Sequence, residues 1–504
     1  MSDNNTMENT ISTPGTSGMV MEEPLIFELG GKGRIGYSLP ESDVPLVDEK
    51  ELFDESLLRD EIKDFPEVSE PELMRHYVRM SQWNYGVDTG FYPLGSCTMK
   101  YNPKVNEDMC RLPGFTGSHP EYPADMVQGT LQLMDELETM LSEIAGMDAT
   151  TLQPSAGAHG ELTGLMLIRA YHIDQGKPRT KILVPDSAHG TNPASSALCG
   201  FKVVEVKSGP DGYLLPEAVE EAMDEDVAAL MITNPNTVGI FEQNIAAIAE
   251  IVHAKGGLMY NDGANMNALL GVARPGDMGF DVIQYNLHKT MSTPHGGGGP
   301  GSGPVGVKKI LEPFLPAPRI VKKDYGYDWD YSNEKSMGKI KGYYGNFGVM
   351  VRAYTYIREL GQENIRKVAE LAVLNANYVR AKLKDLYHLP YETDSMHEVI
   401  FSDKNQNEAG VTTMDIAKCL LDMGFHAPTV YFPLIVHAAL MIEPTETESK
   451  LSCDQFISAM REIDKLVKDD PEQFKSFPTK TFRGRLDEVK AARKPVLRWK
   501  SETE

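Results

Sequence analysis

Lys289 stands in the segment Asn286-Leu-His-Lys-Thr290, directly after the apolar run Asp281-Val-Ile-Gln-Tyr285. Six glycines and three prolines follow it within fifteen residues. A lysine held at a strand end and partly shielded from water gives up its charge readily and attacks carbonyl carbon. Glycine beside it lets the main chain approach a ligand closely. The pattern reads as covalent amine catalysis. A solvated lysine on a surface loop is the competing reading, and the residues upstream separate the two.

Pro154-Ser-Ala-Gly-Ala-His-Gly160 opens a helical run from Glu161 to Tyr171. Small residues at a helix start leave backbone N–H groups free for an anion, so this is a candidate phosphate cradle, with Ser155 adding a hydroxyl. It lacks the Gly-Lys-Ser/Thr ending of a nucleotide loop. Ser187-Ala-His-Gly-Thr-Asn-Pro-Ala194 places His189 where it can lie flat over a planar ring. Thr233-Asn-Pro-Asn-Thr-Val-Gly239 offers hydroxyl and amide groups, and Asn261-Asp-Gly-Ala-Asn265 brings Asp262 close behind an apolar run. A buried carboxylate needs a cationic partner or several donors. A protonated pyridine nitrogen is such a partner, and the pairing makes that ring an electron sink. His288 and Asn286 flank Lys289 as phosphate or substrate contacts. Taken singly, each residue has a plainer role: His189 in a hydrogen-bonded turn, Asp262 as a turn cap, Cys97 as small packing. Taken in order, a phosphate cradle, a stacking His, an Asp and a Lys form one pyridoxal phosphate (PLP) site.

Short apolar strands must position these groups. The candidates are Ile182–Val184, Val203–Val206, Ala228–Ile232, Leu258–Tyr260 and Val282–Tyr285, with helices such as Pro216–Met223 and Ile245–Ala254 between them. That alternation predicts an α/β fold with a mainly parallel sheet and helices on both faces. Ligands gather at the carboxyl ends of such strands, where these polar residues lie. Before them, Val127, Leu131, Met134, Leu137, Leu141 and Ile144 share one helix face that Gly146 can end. Residues 1–23 read as a disordered tail, 24–122 as an extended arm and 123–323 as the large PLP-binding domain. Residues 324–470 read as a small α+β domain, with helices around Val368–Leu383 and Thr412–Met423. The final stretch, 471–504, reads as a basic extension: Lys480–Lys500 carries eight Lys or Arg against Asp487 and Glu488.

The net charge of −24 argues against nucleic acid or an anionic membrane as a partner. No apolar run approaches a membrane span, and the first residues lack the pattern of a signal peptide. Five scattered cysteines without a C-x-x-C pair fit a reducing compartment, so a cytoplasmic location is expected. No metal site is expected.

Several long segments carry a resemblance. Tyr92-Pro-Leu-Gly-Ser-Cys-Thr-Met-Lys-Tyr101, Ser187–Ala194, Tyr260-Asn-Asp-Gly-Ala-Asn-Met-Asn267, Asn286–Gly303 and Glu443-Pro-Thr-Glu-Thr-Glu-Ser-Lys450 are similar to those of glycine dehydrogenase (aminomethyl-transferring). That family is the P-protein of the glycine cleavage system, and the match resembles the separate beta subunit (subunit 2) of its split form. It runs from residue 24 to about Lys500. The resemblance implies fold type I PLP-transferase architecture and decarboxylation of glycine with transfer of the aminomethyl group to the lipoyl group of H-protein. It also implies a homologous alpha subunit (subunit 1) as partner, in a heterodimer or its doubled heterotetramer. By residue, it implies that Lys289 holds PLP covalently, Asp262 pairs with the ring nitrogen and His189 stacks on the ring. Ser155, Gly157 and His288 would lie near the phosphate. The contact to the substrate carboxylate does not transfer to one residue here. Another PLP-dependent decarboxylase or aminotransferase, and a noncatalytic scaffold subunit, are the competing readings.

Overall fold

A computed structural model describes residues 23–500 except 61, 63, 64 and 300. The expected N-terminal tail, apart from Glu23, lies outside the described residues. The chain divides into two compact units, Val87–Phe477 and a smaller one made of Met1–Gly86 with Pro478–Glu504.

Seven strands form the main sheet of the larger unit: β1 (Ala149–Thr151), β2 (Lys181–Pro185), β3 (Lys202–Val206), β4 (Val227–Ile232), β5 (Leu258–Gly263), β6 (Val282–Tyr285) and β7 (Val305–Val307). Their order is β1-β7-β6-β5-β4-β2-β3. All neighbours from β6 to β3 run parallel, whereas β7 is antiparallel to both β6 and β1. Successive side chains of a strand point to opposite faces, and the two cores under the sheet show it. Leu183, Leu230, Ile232, Met259 and Ile283 join one cluster with the helix Gln128–Ala145. Ile182, Val184, Ala229, Met231, Tyr260 and Val282 join another with the helix Gly157–Asp174. Both faces are therefore apolar, and the strands read as continuous apolar runs. The helix Gln128–Ala145 buries Leu131, Met134, Leu137 and Leu141 and ends at Gly146, whose φ of 70° only glycine adopts without strain.

After a two-stranded hairpin, β8 (Arg319–Lys323) and β9 (Gly326–Asp330), comes a long helix, Phe347–Leu383. It is broken at Gly361, which has φ 63° and ψ 174°. Its first part packs in the main core, and Val379 and Leu383 pack in a separate one. That second core lies under a three-stranded antiparallel sheet, β10 (Val399–Ser402), β12 (Ala439–Ile442) and β11 (Thr429–Val430), and the helices Thr413–Asp422 and Lys450–Asp469. Phe91 is buried in this core, Gly95 N–H donates to the Met441 carbonyl, and Glu443 N–H donates to the Pro93 carbonyl. Residues 87–122 thus belong to the larger unit, and the division falls at Gly86 rather than at the expected arm boundary of Tyr122. Main-chain pairing along β12 does this, and a pattern of side chains does not reveal it.

In the smaller unit, the helix Glu70–Ser81 starts at Ser69, whose side chain and Glu72 form a reciprocal cap. Buried Glu23 accepts from Arg79 Nε at 2.6 Å and lies 3.0 Å from His76 Nδ1. The basic C-terminal segment folds back onto this unit: Phe482 stacks on Trp83 and Trp499 on Phe27. Many apolar side chains here face solvent, among them Leu46 at 90% and Leu497 at 86% exposure.

Candidate functional site

The carboxyl ends of β4, β5 and β6 and the start of the helix Gly157–Asp174 open on one cavity of about 230 Å³. Its walls hold Lys289, Asp262, His189, Gly157, His288 and Thr233. Ser155 is not on the wall. Its backbone N–H donates to His159 Nδ1 at 3.2 Å, and its carbonyl accepts from Asn346 Nδ2 at 3.1 Å. The phosphate-cradle geometry therefore rests on the Gly157 end of the segment. A Cβ at Gly157 would stand 2.6 Å from Asn286 Oδ1, so the absence of a side chain there keeps the helix start against the Lys289 segment.

Asp262 sits inside β5, which continues to Gly263 instead of stopping at Tyr260. It is 3% exposed. Its Oδ2 accepts from Asn192 Nδ2 at 2.8 Å, and its Oδ1 accepts from Ala264 N–H at 3.0 Å and from Gln284 Nε2. These three donors are uncharged. Asn192 Nδ2 also donates to Glu161 Oε2 at 3.2 Å, and Glu161 further accepts from Thr191 Oγ1 at 2.8 Å and Ser195 Oγ at 3.3 Å. Burial, and next the charge of Asp262, push the Glu161 carboxyl up to about 7. His189 shares a hydrogen bond of 2.7 Å with Thr191 Oγ1 and is edge-on to Phe432. One polar chain thus runs from His189 through Thr191, Glu161 and Asn192 to Asp262. Glu161 escaped the sequence reading because one acidic residue early in a helix is indistinguishable from a favourable dipole charge.

Lys289 follows β6 by four residues and is half-buried. Its Nζ donates to the Ser96 carbonyl at 2.7 Å. Ser96 and Thr98 lie at φ 64° and 50°, in the left-handed region that non-glycine residues seldom occupy. Two buried glutamates hold them there: Ser96 N–H donates to Glu398 Oε2 at 3.0 Å, and Thr98 N–H and Oγ1 donate to Glu443 at 3.0 and 2.8 Å. Burial, with the charge of Glu443 behind it, pushes the Glu398 carboxyl well above the usual carboxylate range. His397 and Glu398 both line the cavity, and neither was found from sequence. They enter β10 from the small core, about a hundred residues beyond Lys289, and no local motif marks them. His288 and His295 are pushed down to about 4, by burial first and by the charge of Lys289 next. Both are neutral imidazoles at pH 7. Burial also pushes the Cys97 thiol up.

The cavity wall carries polar atoms that await a partner. Thr233 Oγ1, Asn286 Oδ1 and His397 Nδ1 are buried without a hydrogen bond. Buried polar atoms normally find partners, so orphans gathered on one wall point to a bound polar molecule. The donor set fits PLP. Asp262 could accept from a ring N–H, N–H groups at a helix start would suit a phosphate, and Lys289 would offer an amine.

Residues 47–325 match the family model described as glycine cleavage system P-protein, and residues 368–476 match the glycine dehydrogenase C-terminal domain. A probable glycine dehydrogenase (decarboxylating) subunit 2 of Listeria innocua is 58% identical over 487 residues, covering 96% of this chain and 100% of that protein. Its counterpart in Bacillus licheniformis is 58% identical over 479 residues, covering 95% and 99%. The fold is shared with a crystal structure of glycine decarboxylase (P-protein) in inhibitor-bound form, with a TM-score of 0.70 at 21% identity over 81% of this chain and 93% of that one. A cysteine desulfurase from Thermococcus onnurineus also shares it, with a TM-score of 0.59 at 14% identity over 75% and 95%. The sheet order, the placement of Lys289 and Asp262 and the near full-length identity converge: the chain belongs to the P-protein family of the glycine cleavage system, in its glycine dehydrogenase subunit 2 branch.

Proposed function

We propose that this chain carries PLP and catalyses the decarboxylation of glycine, passing the aminomethyl group to the lipoyl disulfide of H-protein in partnership with a homologous subunit 1. The observation that carries the reading is the meeting of Lys289, at the end of β6, and Asp262, at the end of β5, on one cavity opened by the Gly157 helix start. Bound PLP supplies an electron sink for the pair left behind when a carboxylate departs as carbon dioxide.

The chain's own residues do the rest. Lys289 would hold the cofactor through its amine, and the Ser96 carbonyl lies within reach to accept from that amine when it is free. Asp262, fixed by Asn192, Gln284 and Ala264, keeps the ring nitrogen protonated. His189 would cover the ring, and Gly157, His288 and Thr233 would line the phosphate end of the cavity. A half-buried pocket keeps water from protonating the reacting carbon early. The exposed apolar side chains of the smaller unit and its basic tail are surfaces for subunit 1. Among the described residues no helix is long and apolar enough to cross a membrane.

The chain purified with subunit 1 and supplied with PLP should be yellow, with a visible absorption band that sodium borohydride removes, and should support lipoyl-protein-dependent exchange of glycine carboxyl with bicarbonate. A colourless protein after PLP addition would sink the cofactor assignment. Decarboxylation independent of lipoyl protein would favour a simple amino-acid decarboxylase.

A further inference from the structure

A second lysine is buried beside the first. Lys100 is 2% exposed, and its Nζ lies 2.7 Å from Glu446 Oε1, 2.9 Å from Asn267 Oδ1, 3.0 Å from the Thr290 carbonyl and 3.4 Å from Tyr356 Oη. Glu446 is satisfied in turn by Tyr356 Oη at 3.0 Å and Asn267 Nδ2 at 3.2 Å. The Thr290 carbonyl belongs to the residue after Lys289. The two segments therefore hold each other: the lysine of 286–292 donates to a carbonyl of 96–102, and the lysine of 96–102 donates to a carbonyl of 286–292. Two further links join them, Ser292 Oγ to the Tyr101 carbonyl at 2.9 Å and Asn102 Nδ2 to the Ser292 carbonyl at 2.8 Å. Ser292 itself has φ 55°, a strained conformation that these contacts maintain.

A buried ion pair adds little net stability, because removing both charges from water costs about as much as their attraction returns. What Lys100 does supply is direction. Its ammonium is a short, charge-assisted donor aimed at the one carbonyl that follows the reactive residue, in surroundings where such a bond is stronger than in water. We propose that Lys100, anchored by Glu446, is a positioning residue that fixes the turn carrying Lys289; the proposal rests on the reading of Lys289 as the PLP lysine. Without Lys100 the Thr290 carbonyl loses its donor, the turn gains freedom, and the Lys289 amine no longer meets the cofactor at one angle.

The test compares wild type, Lys100→Met and Lys100→Met/Glu446→Gln, the last removing both charges together. Amide hydrogen exchange of residues 287–293 is read in the full chain without cofactor, and the visible circular dichroism of bound PLP and the steady-state constants for glycine are read in the complex with subunit 1. The double variant should fold and exchange faster in that segment by about tenfold or more, as a weakened local closure allows. Its visible dichroism should shrink, and kcat should fall on the order of 10²-fold with little change in KM, the signature of a misplaced reacting group. Wild-type exchange and dichroism in a folded double variant would overturn the proposal. So would a double variant that cannot fold, because the pair would then serve the fold itself. If wild type shows no visible band, the PLP reading fails, and the exchange data from the cofactor-free chain still decide whether Lys100 fixes the turn.

Discussion

Asp262 and Glu161 share one amide, with Asn192 Nδ2 lying 2.8 Å from Oδ2 of the first and 3.2 Å from Oε2 of the second. Two buried carboxyls bridged this way do not both ionise freely. Glu161 is the one that holds its proton, up to about 7, since burial and the charge of Asp262 act on it together.

This sets a pH dependence with a definite sign. The folded chain keeps a proton on Glu161 that the unfolded chain releases above its ordinary value of 4.5, so this contribution to stability is complete below pH 4.5 and lost as pH rises to about 7. In the cofactor-free chain, urea titrations should show wild type losing stability relative to Glu161→Gln across that window, by at most about 1.4 kcal/mol per pH unit. A constant difference from pH 4.5 to 7 would mean that Glu161 ionises normally.

Lys289→Ala is expected to leave the fold intact, because the change shortens one half-buried side chain at a loop. Borohydride should no longer fix cofactor to the protein, and glycine–bicarbonate exchange should vanish. Exchange activity retained in this variant counts against the assignment of Lys289.

Asp262→Asn keeps the size and removes the charge. Exchange should slow by roughly 10³ if electrostatic stabilisation dominates, while PLP still binds. The variant also turns one acceptor into a donor facing Asn192 or Gln284, so a stability loss of about 1–3 kcal/mol should accompany it. Activity within about tenfold of wild type would make Asp262 a structural group.

Gly157→Ala places a methyl against Asn286 Oδ1, and the helix start and the Lys289 segment must separate to admit it. Overpacking of this kind costs about 1–3 kcal/mol. Equilibrium dialysis should show weaker PLP retention, since the same contact forms the cavity wall. Unchanged stability and retention would show that the Asn286 side chain swings away freely.

Expressed without subunit 1, the chain should bind PLP weakly or pair with itself, with little glycine decarboxylation. The apolar surface of the smaller unit is the reason, with Leu39, Leu46, Leu57, Val496 and Leu497 exposed. Full exchange activity from this chain and H-protein alone would refute the need for a partner.

The sheet was legible because five of its strands are short apolar runs bounded by turns, and Val282–Tyr285 and the helix Ile245–Ala254 were read to the residue. Strands β1 and β7 have three residues each and no pattern to read, and they were missed. Within the site, residues that follow strands were readable, since the topology of a parallel sheet says where ligands collect. Glu398, Glu443 and Lys100 were not recognised as parts of the site, because each reaches it through contacts more than a hundred residues distant in the chain. Ser155 was placed by a motif that fits a cradle, yet its polar groups turn to His159 and Asn346.

The Ser96 carbonyl, the Asp262 carboxylate, Lys289 and Glu446 are drawn from segments spread over some 350 residues of chain. A growing polypeptide that has emerged only as far as Lys289 already has both Lys289 and Asp262 but lacks the wall at His397 and Glu398 and the Glu446 anchor for Lys100. The cavity wall is complete only once Glu398, more than a hundred residues past Lys289, has been made, so cofactor acquisition is expected to follow that point. Added PLP should raise the final yield of refolding by mass action while leaving its early, collapse-limited phases unchanged.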